Sequence, residues 1–132
     1  MKYLLDTNTV IYFFKGMGRV AENLLARSPK DIALPAIVLY ELEVGINKSH
    51  APGKRRKQLQ SLVEMVHVIP FGHQEAYFSA QIRSSLEKQG VPIGPLDNLI
   101  AGTALANNCT LVTHNCKEFN RVKGLNSVDW YQ

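Results

Sequence analysis

Short apolar runs, too brief for helices, recur along this chain with amphipathic stretches between them. Residues 2–5 (KYLL), 31–34 (DIAL), 67–69 (HVI) and 110–112 (TLV) are such runs, and 127–128 (SV) reads as a short fifth. Each is predicted as a strand, because a strand covered on both faces has no polar side to show. Helices are predicted over 8–14, 19–26, 37–46, 54–65, 74–89 and 96–106. In 54–65, Leu59, Leu62 and Val63 turn inward together with Val66. In 74–89, Ala76, Tyr77, Ala80, Ile82 and Leu86 give most of an apolar stripe, and Gly90 supplies the stop. The apolar residues of 37–46 mark no single face. Pro35 stands where a helix can begin, and Pro52-Gly53 reads as a break.

Alternation of this kind builds an α/β domain: a mostly parallel sheet of four to five strands with helices on both faces. The 132 residues suffice for one such domain, and no linker, repeat or low-complexity stretch divides 1–132. A hydrophobic fraction of 45% is too high for a disordered chain. No apolar run approaches the roughly 18 residues of a membrane span. Asp6 cuts the apolar start before a signal peptide can form, so a cytoplasmic protein is expected. Cys109 and Cys116 are then expected as reduced thiols, and their spacing fits no zinc site. The net charge of +4 favours a polyanionic partner, though weakly.

In open parallel sheets, sites form beyond the carboxyl ends of the strands. That rule singles out Asp6 after the first strand and Thr113, His114 and Asn115 after the fourth. Each acid nearby has an ordinary explanation when taken alone. Asp6 suits a helix N-cap, Asp97 suits the first turn of a helix, and Glu41 suits a solvated helix surface, with Glu43 as its local competitor. The combination argues otherwise, because the sheet gathers these segments at one edge. Carboxylates crowded there repel one another unless a cation sits between them. Oxygen ligands suit Mg²⁺ or Mn²⁺. Such a cation activates water and offsets charge on a phosphate under attack.

The stretch Leu4-Leu5-Asp6-Thr7-Asn8 resembles the opening motif of PIN-domain nucleases. Tyr40-Glu41-Leu42-Glu43-Val44-Gly45 resembles the second, and its register selects Glu41 over Glu43. The third is resembled by Pro92-Ile93-Gly94-Pro95-Leu96-Asp97-Asn98-Leu99-Ile100-Ala101, and the fourth by Leu111-Val112-Thr113-His114-Asn115-Cys116-Lys117-Glu118-Phe119. Each motif is loose, but four in order across nearly the whole chain are specific. The nearest resemblance is to the VapC toxins of bacterial toxin–antitoxin pairs, in the branch regarded as cutting initiator tRNA.

That resemblance implies a three-layer α/β/α sandwich with Asp6, Glu41 and Asp97 as its acidic centre. Asp6 and Asp97 would be the direct Mg²⁺ ligands, and a metal-activated water would attack an RNA phosphodiester. It also implies a homodimer and a small VapB-type antitoxin that blocks the site, with DNA reached only through the antitoxin complex. Many PIN domains carry Asp where Asn115 stands. Glu118, one helical turn on, competes for the fourth position, which stays open between the two.

Other residues are read more plainly. Lys54-Arg55-Arg56-Lys57 is either a solvated helix start or a phosphate contact, and Arg83 and Lys88 are further candidates for the latter. Thr113 suits orienting Asp6 or a metal-bound water and suits a strand-end cap equally well. His114 is disfavoured as a general base, because a metal-activated water needs none. Tyr12, Phe13 and Phe14 suit a core or dimer contact, and Trp130 suits packing. Two other functions compete. A non-catalytic module binding nucleic acid or protein draws support from Asn115. A phospho-acceptor receiver domain is disfavoured, because Pro70 and Phe71 rather than Asp follow the middle strand.

Overall fold

Both faces of the sheet are covered. Leu4 and Leu5 are consecutive strand residues, so they point to opposite sides, and both are fully buried. Ile32, Ala33 and Leu34 repeat the pattern. The computed structural model describes residues 2–132 as helix–sheet–helix layers. In chain order these are β1 (Tyr3–Leu5), α1 (Thr7–Lys15), α2 (Val20–Leu25), a 3-10 turn (Pro29–Asp31), β2 (Ile32–Pro35), α3 (Ala36–Asn47) and α4 (Pro52–Met65). There follow β3 (His67–Ile69), α5 (His73–Lys88), α6 (Pro95–Ala106), β4 (Thr110–Val112), α7 (Cys116–Phe119) and β5 (Ser127–Val128). Among the described residues no helix is long and apolar enough to cross a membrane.

The sheet order is β3-β2-β1-β4-β5 and every pair is parallel. The chain steps outward from β1 to β2 and β3, then returns to place β4 on the other side of β1. The connections therefore diverge between β1 and β4, the position where an open α/β sheet leaves a crevice. Leu5 pairs with Val112. Asp6 and Thr113, the next residue on each strand, thus leave the sheet side by side.

The structure corrects four local expectations. Pro52 and Gly53 do not break a helix but open α4, since a first-turn proline gives up no helical hydrogen bond. Asp31 belongs to the 3-10 turn, not to β2. Helix α3 has one clean buried face, Val38, Leu42 and Ile46 at four-residue spacing. Partly exposed Ile37 and Val44 hid it from the sequence. Helix α5 buries Ser79, Ile82 and Leu86, while Ala76, Tyr77 and Ala80 face outward.

The shifted face of α5 follows from its close approach to α6. Ser79 lies directly against Gly102, where a Cβ would collide with the Ser79 hydroxyl and stand 2.7 Å from its backbone nitrogen. The Asn98 amide donates to the Ser79 carbonyl at 2.7 Å and ties the same helices together. Because backbone blocks the space, no rotamer change relieves Gly102→Ala. That substitution is expected to cost about 1–3 kcal/mol, the range of core overpacking. A urea melt checks it, and an unchanged midpoint would show the helices free to separate.

Candidate active site

Asp6 does two jobs at the end of β1. Its backbone N–H continues the sheet pairing by donating to the Val112 carbonyl at 3.1 Å. Its side chain caps α1, with Oδ1 accepting from the Thr9 N–H at 2.9 Å. The cap uses one oxygen, so the N-cap explanation and a chemical role are compatible. The residue is only 7% exposed. That burial pushes its carboxyl above the ordinary range, while hydrogen bonds from Thr113 and Thr9 pull the other way and the negative Asp129 adds to the rise. Thr113 is wholly buried, and its hydroxyl also receives the Asn115 N–H at 3.0 Å.

Glu41 reaches the same place from α3. Its Oε1 accepts a 2.6 Å hydrogen bond from the Thr7 hydroxyl, so the residue next to Asp6 orients an acid 34 positions away. Glu43 is spent elsewhere, on an exposed ion pair with Arg56 at 2.8 Å.

Asp97 enters from the first turn of α6. Its carboxyl is pushed from the ordinary 3.8 up to about 6, first by burial and then by the negative charges of Glu118, Asp6 and Glu41. Four carboxylates on four separate segments therefore share one field. Glu118 comes from α7, a helix too short to stand out in the sequence. Its Oε2 accepts from the Asn115 amide at 2.6 Å, and its Oε1 accepts a long 3.4 Å bond from the Gly94 N–H. Asn115 and Glu118, set against each other as alternatives, here form one unit in which the amide braces the carboxylate.

Sequence reasoning missed Asp129. It directly follows β5, so the strand-end rule that picked Asp6 would have picked it too. The other residues singled out in the sequence pack or pair with neighbours. Tyr12 packs its edge on Tyr131 at 4.9 Å, and Phe13 and Phe14 pack against the core. Trp130 is buried between Tyr3 and the Arg27 guanidinium. In the basic run, Arg56 binds Glu43 and Arg55 binds Gln58, while Arg83 pairs with Glu87.

Among the described residues no three acidic, histidine or cysteine side chains close into a ready-made metal cage. The donor set is nonetheless all oxygen, with charges held near one another at an energetic cost. Mg²⁺ commonly binds through one or two carboxylates and keeps several waters, so a cage of three is not required. The residues fit a hydrated divalent cation better than a dehydrated one.

The sequence model of the PIN domain family matches residues 3–125. A tRNA(fMet)-specific endonuclease VapC of Salmonella typhimurium is 32% identical over 130 residues, covering 98% of each chain. The chain belongs to the PIN domain family, VapC type. Solved VapC-type structures share its fold throughout. VapBC2 from Rickettsia felis, bound to a DNA fragment from its promoter, superposes with a TM-score of 0.90 at 34% identity over 98% of this chain and 99% of that one. DNA-bound VapBC from Salmonella typhimurium gives 0.92 at 33% identity over 98% of both. In this PIN domain, then, the crevice beyond β1 and β4 is where Asp6, Glu41, Asp97 and Glu118 converge.

Proposed function

We propose that this PIN domain is a divalent-metal-dependent endoribonuclease, the toxin of a toxin–antitoxin pair. The observation that carries the reading is the shared field at Asp97, where burial is compounded by three other carboxylates. A polypeptide tolerates that repulsion best when a cation relieves it. Asp6 and Asp97 would hold the ion. When bound, a divalent cation such as Mg²⁺ or Mn²⁺ makes water a better nucleophile and offsets charge on the phosphate.

The protein's own groups do the positioning. Glu41, fixed by Thr7, offers its remaining oxygen as a hydrogen-bond acceptor to the attacking water. Glu118, braced by Asn115, completes the acidic set in place of an aspartate at 115. An amide engaged in this way weakens the case for a non-catalytic module, which rested on Asn115.

The finer parts of the reading rest on the relatives. The tRNA(fMet)-specific relative supports tRNA, and initiator tRNA in particular, as the substrate. The DNA-bound VapBC complexes support a VapB-type antitoxin as partner; that it blocks the site, and that DNA is reached only through it, belong to the proposal. A homodimer working in the cytoplasm completes the proposal. The purified chain is expected to cut initiator tRNA in millimolar Mg²⁺ and to stop when EDTA is added. Mapping the new RNA ends locates the cut. Cleavage that persists undiminished in EDTA would remove the metal from the reading, and no cleavage of any RNA would remove the enzyme.

A further inference from the structure

One polar and aromatic cluster at the rim of the site has no task in the proposed reaction. Strands β4 and β5 run parallel with Val112 opposite Val128. The residues that follow them, Thr113-His114 and Asp129, therefore emerge together. The His114 Nδ1–H donates to Asp129 Oδ2 at 2.8 Å. The other oxygen of that carboxylate accepts from the Tyr131 N–H, also at 2.8 Å, so the carboxylate is pinned on both sides. The imidazole lies on the Tyr131 ring, with centroids 4.3 Å apart and planes 25° from parallel. The edge of Tyr12 meets it at 5.8 Å. Contacts from two other segments of the chain hold this one ring, yet 38% of the side chain faces solvent. A ring that served only to cover Tyr131 would gain nothing from a carboxylate that settles which nitrogen carries the proton.

With Nδ1–H committed to Asp129, the neutral ring keeps its lone pair at Nε2. That nitrogen has no hydrogen-bond partner among the described residues. A phosphate oxygen is itself an acceptor and does not suit it, whereas a hydroxyl does. His114 directly follows Thr113, whose hydroxyl meets Asp6. Asp129, which holds His114, is close enough to add its charge to the field at Asp6, so the ring stands beside the acids where a nucleotide flanking the cut can reach it.

We propose that His114, oriented by Asp129, accepts a hydrogen bond at Nε2 from the ribose 2′-hydroxyl of a nucleotide next to the cut, and so favours RNA over DNA. The 2′-hydroxyl is the group by which a protein distinguishes the two. This inference rests on the ribonuclease reading, and the test separates them.

Binding is measured at pH 8 in Mg²⁺ with the Asp6→Asn protein, within times short against its slowed cleavage. The probes are RNA oligonucleotides in which one 2′-hydroxyl at a time around the cut is replaced by hydrogen. A single position is expected to show a loss of about tenfold, in line with one hydrogen bond. His114→Phe, added to the same protein, keeps an aromatic ring on Tyr131 and deletes Nε2. It is expected to weaken binding of the all-RNA probe by the same factor and to be indifferent to the deoxy substitution at that one position. RNA binding with identical deoxy penalties in the presence and absence of His114 overturns the proposal and leaves the ribonuclease reading standing. A wild-type protein that neither binds nor cuts RNA overturns both.

Discussion

Asp6→Asn is expected to lower RNA cleavage by about 10²–10³-fold, the scale seen when one charge-stabilising group is lost from an active site. The fold should survive. Asparagine is as good an N-cap as aspartate, so its amide oxygen can still accept the Thr9 N–H that Asp6 Oδ1 accepts now. Removing a buried charge also removes the desolvation that pushes the Asp6 carboxyl upward. In EDTA the variant should therefore melt no lower than the wild type. Asp6→Ala makes the contrast, since it loses the cap as well and should cost about 1 kcal/mol. Single-turnover cleavage alongside calorimetric melting reads both quantities. An Asp6→Asn protein that cuts within a few-fold of wild type would sink the assignment of Asp6 as a metal ligand.

Asp97 makes stability depend on pH in an unusual direction. Its folded carboxyl titrates at about 6 against an ordinary 3.8. Between those values the folded chain keeps a proton that the unfolded chain has released. Stability from this group is present below pH 3.8 and is lost as pH rises through 6. The full shift corresponds to about 3 kcal/mol, and solvent screening of a half-buried carboxyl reduces it to about 1–2 kcal/mol. Asp97→Asn is therefore expected to raise stability at pH 7.5 in EDTA by that amount and to flatten the slope between pH 4 and 6. Mg²⁺ should stabilise the wild type at pH 7.5, stabilise it much less at pH 5 where protons compete, and do little for Asp97→Asn. Melting curves across pH with Mg²⁺ or EDTA test this. A variant that is less stable than wild type at pH 7.5 in EDTA would mean that Asp97 has a favourable partner rather than three hostile ones.

Much of the frame is legible in the sequence because its signals are local. Strands 67–69 and 110–112 coincide with β3 and β4, since a brief apolar run between turn residues has few other solutions. Helix 96–106 begins one residue late, at the proline that opens α6. Failures occur where an exposed apolar residue imitates a buried one. Tyr77 is 56% exposed and Ser79 is buried, although apolar periodicity ranks them the other way. The reason is Gly102, whose missing side chain lets α5 settle on its serine face. No window of neighbouring residues contains that information, because the glycine lies on another helix.

The acids divide along the same line. Their identities and order are properties of the chain, while the register that separates Glu41 from Glu43 comes from the resemblance to the PIN-domain motif. Tertiary structure alone decided what each one meets: the Thr7 hydroxyl on Glu41, the Asn115 amide on Glu118, the pinned Asp129 behind His114, and the field that three carboxylates impose on Asp97. Strand and helix signals act over a few residues, where backbone geometry is set. A carboxylate's rotamer and proton affinity depend on whatever charge and donor stand within a few ångströms, and here the sheet brings those neighbours from opposite ends of the chain, as with Asp129 beside Asp6.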